Sequence, residues 1–72
     1  MQLCNRLKDV RLQRQFTQES LADTVGVTRQ TIISIEKEKF VPSVRLALQL
    51  AQALRVSLED LFWLDNHKGG KS

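Results

Sequence analysis

Arg29, Gln30, Ile33 and Ser34 bring four chemistries together within six residues: a forked cation, a primary amide, a branched apolar group and a hydroxyl. Such a set suits no acid, base or nucleophile. These are the groups that read the edges of base pairs. An arginine fork matches guanine O6 and N7, a glutamine amide matches adenine, and an isoleucine branch fits the thymine methyl. Ser34 adds a further polar contact on the same side. Gln18, Thr28, Lys37 and Lys39 surround the set with donors and charge suited to phosphate oxygens.

Groups of this kind must be carried on a helix held at a fixed angle, and the stretch from Thr17 to Lys37, TQESLADTVGVTRQTIISIEK, has the form of two helices and a tight turn. The Thr17 hydroxyl is placed to cap the first helix, whose Leu21, Ala22 and Val25 share one face. Gly26 then supplies the left-handed residue that ends it. Val27 packs across the turn, and Thr28 is the cap of the second helix. At about 100° per residue, Thr28, Ile32, Ile35 and Glu36 fall on one side, and Gln30, Ile33, Ser34 and Lys37 on the other. One side is core; the other is a reading face.

The flanks read as support. Residues from about Leu3 to Arg14 are expected to form a helix with Leu3, Leu7 and Val10 on one stripe. Arg11 falls at the edge of that stripe, and an inward arginine needs a partner. Glu36, inward on the reading helix, is the expected one, giving an ion pair that clamps the two helices. Phe16 is expected to staple onto Leu21. After Lys37, Phe40 is expected to pack back on the domain, and Pro42-Ser43 opens a new helix. Its apolar face is Val44, Ala47, Leu50, Ala51 and Leu54, widened by Leu46 and Leu48. Ser57 with Asp60 makes a variant capping box for a last helix over about 58–62.

Leu58, Phe62, Trp63 and Leu64 then form an apolar segment with two readings: a homodimer interface, or aromatics that cover the bottom of the monomer core. A polar, Gly-rich tail over 66–72 is expected to be disordered.

Seventy-two residues make one domain with a thin core. The 42% of hydrophobic residues come in helical spacing, with no run long enough to span a membrane and no secretory leader, so a cytoplasmic protein is expected. A single Cys4 allows no internal disulfide and no metal cluster with the lone His67. Cys4 is read as a packed apolar residue and His67 as inert; no metal and no cofactor are expected. The net charge of +3 favours an anionic partner, and its distribution says more. Arg29, Lys37 and Lys39 flank the reading helix, while Glu59, Asp60 and Asp65 lie near the other end. Lacking a Cys/His pair, a Gly-rich phosphate loop or a triad, the chain is not expected to be an enzyme.

From Asn5 to about Leu61 the chain resembles the helix-turn-helix regulators of the Cro and phage-repressor (Xre) family. The residues that carry the likeness are Thr17-Gln18-Glu19, Leu21-Ala22, Gly26-Val27, Thr28 to Ile32, Ile35-Glu36, Pro42-Ser43, the Leu/Ala helix and Val56-Ser57. The resemblance implies an all-α, compact five-helix lambda-repressor-like DNA-binding domain over residues 1–65. It also implies a reading helix at about 28–37 in the major groove and, if the chain dimerises through its apolar segment, an inverted-repeat operator with half-sites roughly 34 Å apart. Repression by occlusion, with no small-molecule effector, goes with so short a chain. The family's usual Arg and Glu at the matching positions agree with the Arg11–Glu36 pair. Gln15 and Glu38 depart from the pattern, which favours Gly or Asn at the first position and Gly at the second. Two other readings compete: an antitoxin or adaptor that holds a protein partner through Phe62-Trp63-Leu64, and a helical bundle with no ligand.

Overall fold

The computed structural model describes residues 2–65. The tail over 66–72, with His67, lies outside them. The described chain runs β1 (Gln2–Asn5), α1 (Leu7–Gln13), α2 (Gln18–Val25), α3 (Arg29–Glu36), α4 (Val44–Leu54), α5 (Leu58–Leu61) and β2 (Phe62–Asp65).

Local chemistry fixes most of the helix ends. Thr17 accepts from the Ser20 N–H while the Ser20 hydroxyl is bonded by the Thr17 N–H, so a reciprocal capping box opens α2. Thr28, Ser43 and Ser57 each accept from the N–H three residues on, at the starts of α3, α4 and α5. Gly26 closes α2 in the left-handed region at φ 79°. Gln15, Glu38 and Arg55 enter the same region at φ 65°, 62° and 61° without glycine's freedom. The Arg14 guanidinium sits over the end of α4, donating to the Leu54 carbonyl at 2.8 Å, where a cation favours the helix dipole.

The architecture is helical but not all-α. Residues 2–5 form a strand where a helix was expected, and pair antiparallel with residues 62–65, Gln2 opposite Asp65 and Asn5 opposite Phe62. The helix begins only at Leu7 because the Asn5 side chain takes the Leu7 N–H at 3.0 Å, an Asx-type turn that breaks the run. At the other end α5 stops at Leu61, and Phe62 is already extended at φ −131°.

Leu7, Leu21, Ile32, Ile35, Leu50, Leu54 and Leu61 form the centre of one core, with Leu3, Phe16, Val27 and Leu58 packed against its rim. Three apolar expectations are corrected. Phe40 is 47% exposed and Val44 73% exposed, and Leu48 lies outward on α4. The first turn of α4 enters the core through Leu46 and Ala47, which leaves Val44 on its outward side.

Candidate nucleic-acid interface

The reading helix α3 leaves Arg29 and Gln30 exposed and Ile33 and Ser34 half-buried, on the side opposite buried Ile32 and Ile35. Lys37 and Lys39 are exposed beyond its end. Along this face the Gln30 amide leans on Ser34, with Nε2 3.4 Å from Oγ. Thr28 lies at the helix start, but its hydroxyl is already engaged by the Thr31 N–H at 3.3 Å and by the Thr31 hydroxyl at 3.0 Å. What Thr28 offers an anion is therefore chiefly the helix start it caps.

Behind the face lies a buried charge network. Arg11 Nε donates to Glu36 Oε2 at 2.7 Å, with both side chains only 7% exposed. A second Arg11 nitrogen, Nη1, donates to the Phe16 carbonyl at 2.9 Å. Glu36 Oε1 accepts from Gln18 Nε2 at 3.1 Å. Among the described residues no buried side-chain nitrogen or oxygen lacks a partner, as a buried ion pair requires. The Gln18 amide, read as a phosphate arm, thus leaves one hydrogen and its carbonyl oxygen uncommitted by that bond.

The far end of α3 is held by β1. Asn5 Nδ2 donates to the Ile35 carbonyl at 2.9 Å, and Gln2 Nε2 to Glu38 Oε1 at 2.8 Å. Sequence reasoning missed both residues, along with Arg14, because two of the three bond backbone carbonyls, which no residue type announces. The one available signal was Asn5 itself, a turn-forming residue just before an apolar stripe.

The segment read as a dimer interface divides. Phe62 is 8% exposed and belongs to the monomer core, and Leu58 is half-buried. Trp63 and Leu64 are exposed, at 39% and 56%. With Leu3, Pro42, Val44 and Leu58 they line a shallow apolar groove of about 280 Å³. Arg6 stacks on Trp63, its guanidinium carbon 4.9 Å from the ring centroid. Cys4 lies opposite Trp63 in the sheet, half-buried; that burial and the carboxylates of Glu38 and Asp65 push its thiol up from its ordinary value. Among the described residues no cluster of His, Cys, Asp and Glu is placed to hold a metal ion, and no helix is long and apolar enough to cross a membrane.

A family model described as helix-turn-helix matches residues 7–61, the stretch that holds the two-helix unit of α2 and α3. The chain belongs to this helix-turn-helix family. It is 48% identical over 61 residues to the uncharacterized HTH-type transcriptional regulator YgzD of Bacillus subtilis, covering 85% of this chain and 92% of the relative. An uncharacterized HTH-type transcriptional regulator of Methanocaldococcus jannaschii is 50% identical over 58 residues, or 81% of this chain and 88% of that one. Among solved structures, the restriction-modification controller protein C.AhdI of Aeromonas hydrophila superposes with a TM-score of 0.72 at 29% identity, over 76% of this chain and 80% of that one. The family match starts at Leu7, so the helix-turn-helix lies inside it and strand β1 outside.

Proposed function

We propose that this helix-turn-helix protein is a sequence-specific regulator of transcription in the cytoplasm that binds duplex DNA as a homodimer. The supporting observation is the pairing of an outward polar face on α3 with a buried Arg11–Glu36 clamp behind it. A face that only needed solvation would not need so rigid a backing. In this reading α3 lies in the major groove, with Arg29 on guanine, Gln30 on adenine, Ile33 on a thymine methyl and Ser34 beside Gln30. Lys37 and Lys39 follow the phosphates, joined by the free hydrogen of Gln18 and the α3 start at Thr28. The second copy sits on the Val44–Trp63–Leu64 groove. Duplex DNA is itself two-fold symmetric, and two reading helices on one two-fold axis double the base pairs read. Occlusion of a promoter by such a dimer gives repression.

The test is selection of duplexes from a random pool by the purified protein at low and moderate salt. Phosphate contacts alone give strongly salt-dependent, sequence-blind binding. Enrichment of an inverted repeat that survives moderate salt supports the reading. On that repeat Arg29→Ala is expected to cost roughly 1–3 kcal/mol and to relax one base pair, whereas Lys39→Ala weakens all duplexes alike. Equal losses on selected and random DNA for both variants would remove Arg29 as a reader. The exposed groove also favours a second reading, an antitoxin or adaptor that docks a different protein there. A stable heteromeric complex from cells, with DNA affinity no better than nonspecific, would put it first.

A further inference from the structure

Asn5 touches two helix ends at once. Its Oδ1 accepts the Leu7 N–H at 3.0 Å where α1 opens, and its Nδ2 donates to the Ile35 carbonyl at 2.9 Å where α3 closes. That carbonyl also accepts the Glu38 N–H at 2.9 Å, so Asn5 takes its second lone pair. Gln2 adds a bond from the same strand to Glu38. The strand itself is fixed by pairing with β2 and, just beyond it, by the Arg6 N–H on the Leu61 carbonyl at 3.1 Å.

The closing end of α3 is therefore fastened from two sides, through Glu36 by Arg11 and through Ile35 by Asn5. Arg29 and Gln30 sit at the opposite end, about 9 Å away along the axis at 1.5 Å per residue. A pivot of about 10° at the fastened end moves them by roughly 1.5 Å, enough to spoil a hydrogen bond to a base edge. Long lysine side chains on phosphates absorb the same shift. We infer that Asn5 is a positioning residue for sequence reading, its carboxamide setting the angle at which α3 presents Arg29 and Gln30. The inference rests on the DNA-reading role proposed above and narrows it to one side chain outside both helices of the motif.

Asn5→Ser separates the two bonds. Serine can still accept the Leu7 N–H in a local turn, is too short to reach the Ile35 carbonyl as well, and leaves the net charge unchanged. Binding would be measured for the wild-type-enriched duplex and for its scrambled version at one ionic strength, and hydrogen exchange followed at the amides of Lys37, Glu38 and Lys39. The variant is expected to bind the enriched duplex roughly three- to tenfold more weakly, the reach of one hydrogen bond, with scrambled DNA within about twofold of wild type. Exchange at the α3 exit should quicken. Gln2→Ala, at an exposed position, should shift selectivity the same way by less. Equal weakening on both duplexes would leave Asn5 a stability residue only and overturn the inference, as would unchanged selectivity and exchange. Wild-type protein that enriches no duplex overturns the DNA reading itself; full selectivity in Asn5→Ser overturns only the role of Asn5.

Discussion

Arg11 is the one charged residue buried among the core positions of the described chain. Its guanidinium is shared between the Glu36 carboxylate and the Phe16 carbonyl in a site nearly closed to solvent. Removing one partner of such a pair strands the other charge, so Arg11→Ala is expected to lower the unfolding free energy by about 3–5 kcal/mol in urea titration. Replacing Arg11 and Glu36 together by apolar side chains of similar volume should cost much less, because no charge is then left buried alone. A double variant as unstable as Arg11→Ala would show that the cost lies in packing and not in charge. This pair was legible in the sequence, since an arginine on the edge of an apolar stripe demands an anion and Glu36 faced the same way. Asn5 was not. Its partner carbonyl lies thirty positions away, and backbone acceptors carry no signature in residue type.

At the scale of elements, three helix exits use left-handed residues that carry a Cβ, Gln15, Glu38 and Arg55. Replacing Gln15 or Arg55 by glycine relieves that strain at the cost of a freer unfolded chain, and each should gain about 0.5–1 kcal/mol, read as a higher Tm. Glu38 is a poorer choice because its carboxylate holds Gln2. The converse change, Gly26→Ala, should cost about 1–2 kcal/mol from backbone strain alone, since the added methyl meets nothing within 4 Å. A drop well beyond that range would point to a closer approach of the two helices than the turn shows. Helices α2 to α5 were readable because each start carries a Thr or Ser cap ahead of an apolar period. Strand β1 was not, because Leu3 and Leu7 are spaced as well for one helix as for a strand followed by a helix. Four residues that pair only with the far end of the chain leave no local pattern to decide the matter.

Taken whole, the molecule carries the two faces on which the proposed function rests. One is the polar side of α3; the other is the groove of Val44, Trp63 and Leu64. Val44→Ser and Leu64→Ser remove apolar surface that is 73% and 56% exposed, so stability should change by less than about 0.5 kcal/mol. In sedimentation the pair of substitutions should yield monomer at concentrations where the wild type is dimeric, and it should weaken binding to an inverted repeat far more than to a single half-site. A wild-type chain that sediments as a monomer at micromolar concentration, as does Trp63→Ala, would remove the dimer. The sheet also sets an order of events during synthesis. Both helices of the motif are complete once residue 37 has been made, yet the strand that steadies the second of them pairs only with residues 62–65. Chains fold from the N-terminal side as they emerge, and contacts between distant segments form late. In the proposed reading, a chain made only as far as α3 holds the residues of its reading helix without the brace, which forms only after residues 62–65 have been added.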